Sequence, residues 1–278
     1  MGVQTSEKYD TINLLKVGGF GRWKEGKRFV MKDASCRKIS KISTLHYFKL
    51  VFRSVLFLFA LILYVRNILH GGEPWFETVR NYPALLNLIW IVFALEMVAR
   101  CFPSGIESMG CQKLFARNYI PQLGCSVKAY RVNWKVTFAM AAAWLALNGA
   151  IGLLYWLEWI DEGILLLIAL AYSVCDMICI VFFCPFQTWF MKNKCCGTCR
   201  IYNWDFAMMF TPLVFVKHAY TWSLLGIALV VLLQWEITYR IHPERFYDGT
   251  NQSLLCANCK EKLCHHKTQL KQFAKLRK

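Results

Sequence analysis

Charge is scarce in this chain. Asp, Glu, Lys and Arg make up 18% of its 278 residues, where a soluble domain carries about 25%. Acidic residues are scarcer still: 17, against 33 Lys and Arg. The first 49 residues contain no early apolar core, so no secretory signal is expected. No internal repeat and no heptad register is present, which excludes repeat architectures and coiled coils. There is no Ser-His-Asp arrangement, no His-Glu-x-x-His and no nucleotide loop, so a hydrolase or ATPase has no motif to rest on. Gly18-Gly19-Phe20-Gly21 lacks the flanking strand and helix of a phosphate-binding fingerprint. No nucleic-acid-binding module is visible, and nucleic acid is not expected as a partner.

What is present is apolar. Hydrophobic residues make up 56% of the chain and aromatic residues 15%. They fall in long blocks, which predicts an all-α integral membrane protein. The first four blocks are Leu50–Val65, Ala84–Phe102, Val136–Leu157 and Gly163–Cys184. Each is about long enough to cross ~30 Å of hydrocarbon at 1.5 Å per residue, the first being short. The last stretch, Trp204 to Glu236, is too long for one ordinary crossing and contains Thr211-Pro212 and Lys217-His218. It reads either as one long kinked helix or as a hairpin of short crossings, 204–216 and 221–237, turning at Lys217–Tyr220.

Lys and Arg accumulate in cytoplasmic loops near span ends. Residues 1–49 hold eleven, residues 100–135 six and residues 185–203 three; loop 66–83 has two with two acids, and residues 158–162 have none with three acids. The alternation is consistent. The tail from residue 238 carries nine Lys and Arg, and only a hairpin returns them to the cytoplasm. The prediction is therefore about six transmembrane helices with both termini cytoplasmic, in a multi-pass protein of the cell membrane. A basic N-terminal tail covers 1–49, the helical domain 50–237 and a basic Cys/His-containing tail 238–278. Trp75, Trp134, Trp156, Trp159, Trp189, Trp204, Trp222 and Trp235 stand at predicted span ends, as an aromatic belt requires. The basic tails suit anionic lipid in the bilayer, at about 1 kcal/mol per residue near the surface.

Thirteen cysteines are present, and none falls in a predicted outer loop. Disulfide-stapled proteins show the opposite distribution, because the cytoplasm keeps thiols reduced. Clustered cysteines in a reducing compartment point to metal or redox chemistry. Two Cys-x-x-Cys pairs dominate: Cys196-Gly197-Thr198-Cys199 and Cys256-Ala257-Asn258-Cys259, 56 residues apart. The hairpin puts both on one face. Two such pairs supply a tetrahedral four-thiolate set, used by structural zinc and by iron–sulfur clusters alike. Cys195, Cys264, His265 and Cys184 are further donors in reach of such a site. Lys192, Lys194, Arg200, Lys260 and Lys262 flank the pairs and offset thiolate charge.

The stretch Cys179-x4-Cys184-Pro185-Phe186 resembles membrane-bound polyferredoxins of the NapH/NosR group over about ten residues. Their closely repeated Cys-x-x-Cys runs are absent, so the resemblance implies no cluster ligand here. The run Cys195–Phe210, with His242-Pro243-Glu244-Arg245-Phe246 and Cys256–His266, is similar to uncharacterised cysteine-rich multi-span membrane proteins of anaerobic Gram-positive bacteria. That resemblance implies a family and no activity.

Charged residues inside apolar blocks mark ion or proton paths by default. Asp176 lies in the fourth block, with Asn148 of the third as its candidate partner. Glu96 and Arg100, spaced i,i+4, read as an interfacial pair or a gate, and Glu236 with Arg240 repeat the spacing. Three functions follow. The first is a cytoplasmic four-cysteine metal site on Cys196, Cys199, Cys256 and Cys259, holding either zinc as a structural clip or an iron–sulfur cluster for electron transfer to a membrane redox partner. The second is a transporter or channel using Asp176, Asn148, Glu96 and Arg100. The third is a membrane thiol oxidoreductase using Cys196 and Cys199 with Cys175 and Cys179.

Overall fold

The computed structural model describes residues 41–71, 83–103, 109–122, 134–191, 198–255 and 258. Regular structure among them is helical. The main elements are α1 (Lys41–Leu69), α2 (Pro83–Cys101), α3 (Trp134–Trp156), α4 (Glu162–Val181), α5 (Asp205–Phe210) and α6 (Ala219–Ile241). Short helical turns join or extend them. Among the described residues, Thr44–Leu69, α3, α4 and α6 are each long and apolar enough to cross a membrane. The chain is thus built as an integral membrane protein is built.

The first helix is longer than the apolar block that predicts it, 29 residues against Leu50–Val65. A helix satisfies its backbone hydrogen bonds internally whatever its side chains, so helix and apolar segment need not share ends. At α4 the start is set by Asp161, whose carboxylate accepts the Ile164 N–H at 2.9 Å. The turn before it carries Glu158 at φ 60°, a left-handed conformation unusual outside glycine. The far end of α4 stops at Val181, short of the expected Cys184. There the N–H groups of Phe182 and Phe183 both go to the Ile178 carbonyl, which widens the last turn ahead of Pro185.

Contacts between helices fall at two levels. At one end of the bundle, the Tyr64 hydroxyl donates to Asp161 (3.0 Å), His218 lies 3.6 Å from Glu162, and the Tyr220 hydroxyl donates to Asn87 (2.9 Å). Arg53 of α1, Glu96 of α2 and Asp176 of α4 meet at the other end. Helix α1 therefore runs antiparallel to α4. Helices α2 and α6 run parallel, since Trp90 donates to Ser223 and Gln234 to the Cys101 carbonyl. The start of α1 and the end of α6 lie at the same end of the bundle.

The Trp204–Glu236 stretch doubles back. Arg200 and Trp204 both contact Glu236, and the Thr221 hydroxyl donates to the Val216 carbonyl. A single kinked helix is excluded by these contacts. The first arm is not one regular helix: α5 passes at Pro212 into a tighter 3₁₀ turn, Thr211–Phe215. Proline has no N–H to continue an α-helical ladder. The turn sits at Val216–His218, slightly earlier than predicted. The second arm is longer than the expected 221–237.

Gly152 lets α3 approach the first arm. A Cβ there would fall on the Phe215 ring, the close approach that small residues permit between membrane helices. The core is made by Met97, Leu165, Phe206, Met209, Val216 and Val231, all essentially inaccessible. Val51, Val55, Leu58 and Ile62 on α1, and Leu229, Val230 and Leu233 on α6, point outward and are exposed. Apolar stripes of this size suit a lipid environment and not water.

Segment 109–122 and the chain after α6 form a layer beside the Trp235 end of the bundle. Pro121 bridges Asn251, Gln122 N–H goes to the Thr250 carbonyl, and Gln252 N–H to the Ile120 carbonyl. Asn251 is fully buried. Its amide donates to the carbonyls of Lys113 (3.2 Å) and Arg245 (2.8 Å), and its Oδ1 accepts the Ser253 N–H. The apparent glycosylation sequon Asn251-Gln252-Ser253 is thereby used as a structural tie.

Candidate functional site

Two features share the Asp176 end of the bundle: a layer of buried charge and a cysteine-lined cavity. The charge layer centres on Arg53, which is 3% exposed. Its Nη2 lies 2.6 Å from Glu96 Oε2 on α2, and its Nη1 lies 3.2 Å from both Asp176 Oδ2 and the Ser173 carbonyl on α4. Lys49 Nζ reaches the other Glu96 oxygen at 3.4 Å. One turn of α2 further on, Arg100 grips Asp205 of α5 through its two terminal guanidinium nitrogens, at 2.7 and 2.5 Å. The Phe206 ring lies between the two arginines, 6.0 Å from Arg53 and 4.6 Å from Arg100. Lys49, Arg53 and Arg100 against Glu96, Asp176 and Asp205 balance in charge. A buried cation leaves water at several kcal/mol, which paired carboxylates and ring faces offset.

A further pair, Arg200 with Glu236 at 2.5 Å, joins the segment before α5 to α6. Trp204 Nε1 donates to the same carboxylate at 2.6 Å, and the Arg200 guanidinium covers the Tyr239 ring at 3.7 Å.

The expected i,i+4 pairs thus find their partners on other segments: Glu96 on α1, Arg100 on α5 and Glu236 at Arg200. Asp176 faces Arg53, not Asn148. Asn148 is buried on α3, where its Nδ2 donates to the Trp144 carbonyl of its own helix (2.9 Å) and its Oδ1 has no partner among the described residues. Lys49, Arg53 and Asp205 are the members that sequence reasoning passed over. Arg53 was legible, as a lone arginine three residues inside an apolar block. Asp205, at the start of the arm, carried no such signal.

The cavity measures about 490 Å³ and lies between α4, the 183–187 turn and residues 199–209. Cys175, Cys179, Cys184 and Cys199 all line it, together with Asp176, Asp205, Met208 and Met209; Trp144 and Tyr172, whose rings pack at 4.7 Å, close one wall. The Gln187 N–H points at Cys184 Sγ from 3.4 Å. Six described cysteines, Cys101, Cys111, Cys175, Cys179, Cys184 and Cys199, stand as thiols. A smaller cavity of about 370 Å³, almost wholly apolar, lies on the other side of Trp144 between α3 and α6.

Of the predicted four-thiolate set, Cys199 is described and lines the larger cavity. Cys195, Cys196, Cys256, Cys259, Cys264 and His265 lie outside the described residues. Among the described residues, no three His, Cys, Asp or Glu side chains converge as a metal centre would need. Comparisons with protein-family models, with curated proteins and with solved structures find no match to this chain.

Proposed function

We propose that this chain is a six-crossing protein of the cell membrane, with both ends cytoplasmic, that holds a four-cysteine metal centre on Cys196, Cys199, Cys256 and Cys259. The hairpin carries this reading. Residues 200–204 lie against Glu236 of α6, and residues 243–255 are tied to segment 109–122. The described residues that border the two pairs, 200–204 and 243–255, thus lie toward the end of α6, which supports bringing the pairs together. Four thiolates there close a tetrahedral site. Zinc would clip the hairpin to the tail, and an iron–sulfur cluster would pass electrons to a membrane partner.

The charge layer supports a locking role over an ion path. Each buried carboxylate is already neutralised by an arginine, so none is left as a bare carrier site. The expected anionic-lipid partner follows from the basic tails.

Anaerobic purification with metal analysis and an absorption spectrum tests the centre. Stoichiometric zinc supports the clip, and a broad band near ~400 nm with iron and sulfide supports electron transfer. Cys199→Ser should abolish either. A metal-free protein that keeps its fold overturns the proposal. Labelling of a cysteine introduced at Lys278, from the two membrane faces separately, tests the topology; an external tail refutes the shared site.

A further inference from the structure

The two cavities on either side of Trp144 are parallel clefts with a shared wall: Trp144, Ile201 and Met208 line both. The smaller, of about 370 Å³, follows α6 from Leu225 to Glu236, a length of ~16 Å at 1.5 Å per residue. One leaflet of a bilayer has about that depth, half of ~30 Å. The larger, of about 490 Å³, runs beside it from Tyr172 to the 183–187 turn. Both open sideways. Leu145, Val214 and Leu229 of the smaller cleft, and Cys175 and Ile178 of the larger, are exposed. The clefts exist because α3 stands off the bundle toward its Trp134 end: its buried residues are Asn148 and Gly152, both past its midpoint. Apolar space of this kind does not hold water. Acyl chain is the material that a bilayer supplies to restore the dispersion contacts of its walls.

From this geometry we infer that the paired clefts hold the two acyl chains of one anionic phospholipid, which straddles Trp144 and Met208. The chains of such a lipid leave neighbouring carbons of one glycerol, so they pass on either side of a wall one side chain thick. Ile201 is the wall residue nearest the bundle end, and Arg200 precedes it, held against Glu236. Arg240 stands one turn beyond Glu236 on the same face of α6, and Lys135 lies in the first turn of α3; both are exposed. Arg200, Arg240 and Lys135 around the Glu236 carboxylate favour a headgroup of net negative charge over a zwitterionic one. The lipid joins the start of α3 to α4 and α6, where α3 has no buried residue of its own. The inference rests on the chain crossing a bilayer and not on the metal centre, and it concerns the bundle, not the basic tails.

The test is native mass spectrometry of the full chain, reconstituted into vesicles of phosphatidylglycerol and phosphatidylcholine in equal parts and taken up again in mild detergent. One two-chain phospholipid should stay bound per chain, the anionic one favoured by on the order of 10-fold. Lys135→Gln with Arg240→Gln should lower that preference several-fold and leave the total bound unchanged. Ala141→Phe and Cys175→Phe, which each fill one cleft, should weaken retention by on the order of 10-fold, as excluding about two methylenes requires. Ala142→Phe, on the exposed side of α3, should change nothing. Where a filling variant fails to fold, the parent's stoichiometry and headgroup preference still decide. A parent without bound phospholipid, equal binding of the two headgroups, or equal loss in Ala141→Phe and Ala142→Phe overturns the inference. Release of the chain from membranes by alkaline carbonate refutes the membrane reading and the lipid site with it, a result distinct from an inserted chain that carries no lipid.

Discussion

Arg53→Leu removes the side chain that ties α1 to both α2 and α4. The magnitude follows from what is left behind. Glu96 keeps Lys49 at 3.4 Å, so its charge stays partly compensated. Asp176 loses the guanidinium that holds it. Removing one partner of a buried pair costs about 3–5 kcal/mol, because the other charge stays buried. The two carboxylates are less enclosed than the arginine, with side chains 16% and 17% exposed against 4%, so solvent relieves part of the penalty. The expected loss is therefore about 3 kcal/mol, the lower end of that range. That is a shift of roughly 100-fold in the folding equilibrium. Reversible unfolding in mixed micelles measures it. Arg53→Lys should recover only part of the loss, since an ammonium cannot fork between Glu96 and Asp176 as a guanidinium does. The triple change Arg53→Leu, Glu96→Leu, Asp176→Leu should be far milder than the single one, because it leaves only Lys49 without its partner. If Arg53→Leu stays within ~0.5 kcal/mol of the parent, as surface changes do, the ion-pair layer does not hold the helices together.

Other consequences are as direct. Gly152→Val should push α3 from the Phe215 ring and destabilise the bundle by about 1–3 kcal/mol, while Gly149→Ala, with open space around it, should be neutral in the same unfolding assay. Asn251→Ala strands the Lys113 and Arg245 carbonyls, a penalty of about 1–3 kcal/mol for each buried group left unsatisfied, and should raise amide exchange across residues 243–255. The same burial predicts that Asn251 stays unglycosylated when the chain is made in microsomes, read as an unchanged gel mobility. Asp205→Asn leaves Arg100 without its carboxylate, and the variant should unfold as readily as Arg53→Leu.

Much of this could be read from residue order. The positions of the apolar blocks and the doubling back at residues 204–236 rest on hydrophobic length and charge, both local properties. The intramembrane carboxylates were also recognisable, since a charge in an apolar block stands out wherever it lands. Their partners were not. Spacing i,i+4 pairs residues on one helix face, but a buried carboxylate takes whichever cation the packing delivers. Glu96 took Lys49 and Arg53, and Glu236 took Arg200, because crossing helices bring those guanidinium and ammonium groups closer than a neighbouring turn does.

The cysteines divide in the same way. The two Cys-x-x-Cys pairs are legible because both sulfurs of such a unit are close along the chain. The cavity is not, because Cys175, Cys179 and Cys184 meet Cys199 only after the arm beginning at Tyr202 folds back against α4 and α6. Sequence alone determined which segments are long and apolar enough to cross a bilayer, and that charges stand inside them. Tertiary structure decided which charges neutralise each other and which thiols share a cavity. The first set of properties depends on transfer from water to hydrocarbon, which each segment settles for itself; the second depends on distances between segments, which exist only once the helices pack.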